Sequence, residues 1–274
     1  GSSNALITLA VGTNPSAGVL TCSNGLTRQA VNGVATFSGC QIDRAGVGYT
    51  LTATATGLTA ATSSPFSISA PGASITLSGT ATVIRWGEAV SFTIRFGANG
   101  ANKSFVLEGI RDKATQQWAT IGTFSTNAQG VAVVPNYTPV TNLWYRARFA
   151  GTPDLGAGMS NEWRVVVRQL AVQSPRTPTG AIFVGRGGSR TISTTVRPAR
   201  PELPKATVVW EIWRFSSGAW RLVTTRSAVI DSAGVARTTF RFSSVGQWRV
   251  RSRALPTPYN ANSLPTPFTR YSVG

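Results

Sequence analysis

Tyr49-Thr50-Leu51-Thr52-Ala53-Thr54-Ala55 decides how the chain is read. Apolar and polar side chains alternate along it, so a strand would bury one face and wet the other. Val90-Ser91-Phe92-Thr93-Ile94-Arg95-Phe96, Trp144 to Phe149 and Trp248-Arg249-Val250-Arg251-Ser252-Arg253 alternate in the same way. No long stretch keeps a helical period with a cap, and Gly, Pro, Asn and Ser interrupt the strands at roughly the 8–12-residue spacing of sandwiches and barrels. The chain is predicted to be all-β.

Working outward, Gly33-Val34-Ala35, Gly130-Val131-Ala132 and Gly234-Val235-Ala236 recur at offsets of 97 and 104 residues. Each follows turn residues, and each precedes a strand opened by an aromatic: Tyr49, Trp144 and Trp248. Matching punctuation at that period predicts three tandem copies of one small antiparallel sandwich, at 1–70, 71–170 and 171–274. The joints are expected near Ala70-Pro71-Gly72 and near Ser174-Pro175-Arg176-Thr177-Pro178, short Pro-containing links that limit bending. Leu255-Pro256-Thr257-Pro258 and Leu264-Pro265-Thr266-Pro267 are read as brackets around the loop between the last two strands.

Composition narrows the chemistry. Histidine is absent, which removes the commonest general base and transition-metal ligand. The nine acids leave little for paired-carboxylate catalysis or an oxygen-rich calcium site. Of the lysines, Lys103, Lys113 and Lys205, none lies in an apolar strand where a serine–lysine dyad or an isopeptide cross-link would need it. Gly185-Arg186-Gly187-Gly188 leads into the strand Thr191 to Val196 rather than a helix, so it reads as a turn and not a phosphate loop. The expectation is a non-enzymatic protein without cofactor or metal. No apolar run is long enough to span a bilayer as a helix.

Cys22 and Cys40 have two readings. A pair in a Thr- and Gly-rich β sequence fits a disulfide and an oxidising compartment, worth about 3 kcal/mol for a loop of this size. Two buried free thiols are the alternative.

Ala30-Val31-Asn32-Gly33-Val34-Ala35-Thr36-Phe37-Ser38-Gly39, then Ile42-Asp43 and Ala45-Gly46-Val47-Gly48-Tyr49-Thr50-Leu51-Thr52-Ala53, resembles the central hairpin and tyrosine-bearing strand of bacterial immunoglobulin-like repeats of secreted and cell-surface proteins. Trp144 to Gly151 and Trp248 to Ala254 resemble the penultimate strand of a related subtype. The resemblance implies tandem immunoglobulin-like sandwiches, an extracellular location and a structural or adhesive role, and it supplies no catalytic residue. Such repeats have one or two strands before the segment matching Ala5 to Val11, and here the chain starts almost at that segment. A missing first strand would leave Ala5, Ile7, Leu9 and Val11 at an open edge that another subunit could complete, as in a filament. A fragment of a longer chain, or a small domain closed as it stands, would start at the same place.

The formal charge of +17 is concentrated toward the C-terminus. Residues 1–70 hold two cations and one acid, 71–170 nine and five, 171–274 fifteen and three. Alternation puts Arg249, Arg251 and Arg253 opposite Trp248 and Val250, and Arg237 and Arg241 opposite Phe240. Were those strands neighbours, five guanidinium groups would share a face, with Trp213, Trp220 and Arg221 at the hairpin Ser216-Ser217-Gly218 adding stacking surface. A solvated arginine face, a protein interface and a site for acidic cell-wall polymer or glycan all fit. The partners expected are other subunits, copies of the chain itself, or such a polymer. Nucleic acid is set aside, because neither a groove helix nor an RNP-like or KH-like motif is present.

Overall fold

The computed structural model describes residues 4–177, 179–199 and 204–274. Apart from a single-turn 3-10 segment at Lys113–Thr115, the regular structure described is all strand. The first group holds β1 (Leu6–Val11), β2 (Leu20–Thr21), β3 (Thr27–Gln29), β4 (Gln41–Ile42), β5 (Gly46–Tyr49), β6 (Leu51–Thr54), β7 (Ala61–Thr62) and β8 (Phe66–Ile68). The second holds β9 (Ile75–Gly79), β10 (Val83–Arg85), β11 (Val90–Phe96), β12 (Ser104–Ile110), β13 (Ala119–Ser125), β14 (Val131–Tyr137), β15 (Leu143–Phe149), β16 (Gly158–Met159) and β17 (Trp163–Arg168). The third holds β18 (Leu170–Ser174), β19 (Ile182–Val184), β20 (Ser189–Arg197), β21 (Thr207–Ser216), β22 (Ala219–Val229), β23 (Val235–Arg241), β24 (Gly246–Ala254) and β25 (Thr269–Val273).

The second and third groups share one topology. β9-β11-β14 faces β10-β17-β15-β12-β13, and β18-β20-β23 faces β19-β25-β24-β21-β22. In both, the short strand at the edge of the larger sheet runs parallel to the last strand, and the other pairs are antiparallel. This is the immunoglobulin-like arrangement. Alternation fills each core from both sheets: Phe92, Ile94, Tyr145 and Val165 in the second, Ile192, Trp210, Val250 and Trp248 in the third.

Two of the repeated glycines, Gly130 and Gly234, have a common cause. Asn127 Oδ1 accepts from the Gln129 and Val131 amides, and Asp231 Oδ1 accepts from the Ala233 and Val235 amides. Each such turn then needs a residue at positive φ, supplied by Gly130 (72°) and Gly234 (77°). A Cβ on Gly234 would meet the Ala199 Cβ at 2.6 Å and the Val196 carbonyl oxygen at 2.9 Å, whereas one on Gly33 (φ 85°) would meet nothing within 4 Å. Gly234→Ala is therefore expected to cost the third sandwich about 2 kcal/mol or more, and Gly33→Ala about 1 kcal/mol in the first. Denaturant titration of the two variants checks the order, and equal losses would contradict it.

The first group is smaller. Leu20, Ile42 and Tyr49 are its buried cluster, joined by half-buried Leu9, Val11, Cys22, Leu51, Phe66 and Ile68. The Tyr49 hydroxyl donates to the Arg44 carbonyl (3.0 Å), which satisfies its polar end. Cys22 and Cys40 form a disulfide.

Four expectations need correction. The edge at Ala5, Ile7, Leu9 and Val11 is not open: β1 pairs with β3 on one side and β6 on the other, and its inward side chains already meet the small core. The chain's own β3 occupies the place reserved for a donor strand. The alternating run Tyr49 to Ala55 is not one strand. It breaks at Thr50, so that β5 pairs with β8 while β6 pairs with β1. The hairpin expected around Gly33 shrinks to a turn closed by Val31 and Val34. Finally, the Ser174-Pro175 run lies inside the third sandwich, because β18 already pairs with β20 before it; Pro178 lies outside the described residues.

Candidate functional site

Strand parity builds one chemically distinctive surface, the outward face of the five-stranded sheet of the third sandwich. β24 points Trp248, Val250 and Ser252 inward and Arg249, Arg251 and Arg253 outward. β21 sets Glu211 opposite Arg251 and Trp213 opposite Arg249, and β25 sets Arg270 opposite Arg249. The Arg249 guanidinium lies 4.4 Å from the Trp220 ring, 4.1 Å from Phe268 and 5.5 Å from Trp213. Arg251 is neutralised by Glu211 (2.8 Å) and also faces Phe268 at 4.9 Å. Burial, and then the charges of Arg251 and Arg270, push the Arg249 pKa below its ordinary value. Among the described residues no carboxylate pairs with Arg249 or Arg270.

The structure brings together Trp213, Arg249, Arg251 and Arg253 and separates the rest. Arg237 and Arg241 are on the opposite sheet, where β23 pairs with β20 and not with β24. There Arg237 bonds Asp231 (2.7 Å), and Arg241 donates to the Gly187 carbonyl (3.0 Å). The five-guanidinium face therefore does not form: the chain crosses from one sheet to the other between β23 and β24. Arg221 is opposite Arg214 at the end of the hairpin, on the side of the sheet that carries Trp248. Phe268 and Arg270 carry no signal in the sequence, because fourteen residues of loop separate β24 from β25 and only the folded register sets Arg270 beside Arg249.

The second sandwich carries a neutralised counterpart. Glu108, opposite Arg146 as Glu211 is opposite Arg251, bonds both Arg146 (2.9 Å) and Arg148 (2.6 Å). Burial raises the Glu108 pKa, but the hydrogen bonds and charges of Arg148 and Arg146 outweigh it and hold the carboxyl below its usual value. Arg146 stacks on Trp118 (3.9 Å), and Trp144 is flanked by Lys113 and Arg164.

A second constellation joins the sandwiches. The loop between β24 and β25 reaches the second sandwich, where the Tyr259 carbonyl accepts from the Asn142 amide (2.7 Å) and the Thr141 hydroxyl (2.6 Å). The Asn260 side-chain amide donates to Val140 (3.1 Å), and the Ala261 amide to Val167 (3.0 Å). Gln169, buried at the crossing point, donates its backbone amide to Ala261 and its side chain to Leu255. At the other joint, the Gly156 amide donates to Pro71 (2.8 Å) and the Ala45 amide to Pro153 (3.1 Å). A side chain at Gly156 would crowd the Pro71 and Ala70 carbonyls. Lys103 braces that loop through Asp154, whose pKa falls to about 2, chiefly through the Lys103 hydrogen bond.

Among the described residues there is no group of three or more potential metal-ligating side chains and no helix long and apolar enough to cross a membrane. No family model and no curated protein matches the chain. Among solved structures, the three N-terminal domains of the bacteriophage RB49 Hoc outer capsid protein align over 99% of this chain and 88% of that one, at 14% identity and TM-score 0.35. The D0-D1 domain of intimin aligns over 72% of this chain and 97% of its own, at 15% identity and TM-score 0.26. Native Escherichia coli alpha-2-macroglobulin aligns over 98% of this chain at 12% identity and TM-score 0.28, and the chain spans 20% of its length. These superpositions are loose, and the immunoglobulin-like assignment rests on the strand order within the second and third sandwiches.

Proposed function

We propose that this chain is a structural or adhesive element of a bacterial cell surface, a non-enzymatic spacer of linked immunoglobulin-like sandwiches that presents the third to a partner outside the cell. The observation that carries the reading is the pair of braced joints. Hydrogen bonds from the 255–268 loop to Thr141, Asn142 and Val167, and from Gly156 to Pro71, would resist the bending that free linkers allow. A spacer has to hold orientation, and such joints suit that task. The disulfide favours an oxidising location, where a small first core benefits from a cross-link. The partners of this reading are other surface subunits or further copies of the chain, engaged elsewhere than β1.

Two measurements test it. Antibody raised against the chain is expected to label intact cells of the source bacterium, and labelling only after lysis would overturn the location. By NMR relaxation, the second and third sandwiches are expected to tumble as one body, and Asn260→Ala with Gln169→Ala should loosen them. Independent tumbling in the unmodified protein would overturn the spacer.

A further inference from the structure

The outward face of the third sandwich contains a pocket of about 490 Å³, with Trp220 and Phe268 among its walls and Arg249, Arg270, Gln247 and Ser272 from β24 and β25. Three features combine at this pocket. First, Arg146 and Arg251, which also stack on aromatic rings of these sheets, are neutralised by Glu108 and Glu211, whereas Arg249 and Arg270 have no carboxylate partner among the described residues. Second, these two cations are directly opposite each other across β24 and β25, a placement that is unfavourable without an anion between or beside them. Third, Arg249 Nε is buried without a hydrogen-bond partner, a donor left unsatisfied although its plane is fixed by the Trp220 and Phe268 rings.

We propose that this pocket binds a carboxylate-bearing sugar ring of an acidic polysaccharide, with Trp220 and Phe268 covering the ring's apolar surface and Arg249 and Arg270 gripping its carboxylate. A guanidinium fork matches a carboxylate in geometry as well as charge, and aromatic walls suit the C–H face of a pyranose. Gln247 and Ser272 line the same pocket and supply partners for the ring hydroxyls. On the other side of Phe268 and Arg270, a second cavity of about 310 Å³ carries Arg176 and Thr177. The two cavities share Phe268 and Arg270, so they form adjacent subsites for successive residues of one chain. A polynucleotide fits less well, because single strands are held by a longer groove with a succession of stacking platforms. The proposal rests on the third sandwich alone, and its failure would leave the spacer reading untouched.

Calorimetric titration with galacturonate oligomers tests it on the whole chain, with fully methyl-esterified oligomers and a single-stranded oligonucleotide as comparisons. The acid oligomers are expected to bind, longer ones more tightly than the monomer, and the esters at least about tenfold more weakly. Arg270→Gln and Trp220→Ala should each weaken binding about tenfold or more, while Arg241→Gln, the same charge change on the opposite sheet, should alter it less than about twofold. Melting curves of the variants separate lost binding from lost folding, and Arg270 is the safer probe because its side chain is exposed. Absence of binding, equal binding of the esters, or an equal loss in Arg241→Gln would overturn the site. Tighter binding of the oligonucleotide through the same two residues would overturn the ligand class.

Discussion

Trp248→Ala is expected to cost the third sandwich about 3–5 kcal/mol, the range for removing a buried indole from a packed core. Trp248 is 2% exposed, and its ring centroid lies 5.6 Å from Phe240 and 5.5 Å from Phe242. Its indole N–H donates to the Ser244 carbonyl (3.0 Å), so the substitution also leaves that oxygen short of a partner. The melting temperature of the third sandwich should fall by more than about 10 °C. Trp144→Ala in the second sandwich should cost about 1 kcal/mol, the scale of its contacts with Lys113 and Arg164. The two tryptophans look equivalent in sequence, since each opens the penultimate strand. In the structure Trp144 matches Arg249, and Trp248 is one residue earlier, so strand parity puts one outside and the other in the core. Similar losses in the two variants, measured by thermal denaturation, would contradict that offset.

Reduction of the Cys22–Cys40 bond, or Cys22→Ser with Cys40→Ser, is expected to unfold the first group of strands and spare the second and third sandwiches. The cross-link is worth about 3 kcal/mol on the chain-entropy account, and a core of this size rarely supplies more than about 3–5 kcal/mol by itself. The bond also pins the irregular segment after Gly33, which otherwise holds to the body through hydrogen bonds such as Asn24 Nδ2 to the Thr36 carbonyl (3.1 Å) and the Ser23 amide to the Ser38 carbonyl (3.1 Å). The experiment has a clean readout. All eight tryptophans lie beyond residue 70, so their fluorescence should persist in reductant while amide protection around Tyr49 is lost. Retained protection at Ile42 and Tyr49 under reducing conditions would show that the small core suffices.

Much of the architecture is legible in local pattern because a strand's side-chain period is a local property. Val90 to Phe96 and Thr191 to Val196 occupy strands as read, and the second and third Gly-Val-Ala copies mark matching turns because Asn127 and Asp231 bond the following amides in the same way. Errors arise where pairing partners matter. Adjacency in sequence groups Arg237 and Arg241 with Arg249, because β23 and β24 are consecutive, yet the two strands belong to different sheets. Counting strands leaves an open edge at β1, and β3 fills it with three residues that carry no strand signature.

Alternation and turn residues settle in the sequence that this is an all-β chain with arginine-lined strand faces. Those are properties of neighbours along the backbone. Tertiary structure alone decided which arginines keep a carboxylate partner, that Arg270 faces Arg249, and that a loop of the third sandwich braces the second. Each of these depends on register between segments distant in sequence, and register is set by the packing of both faces at once.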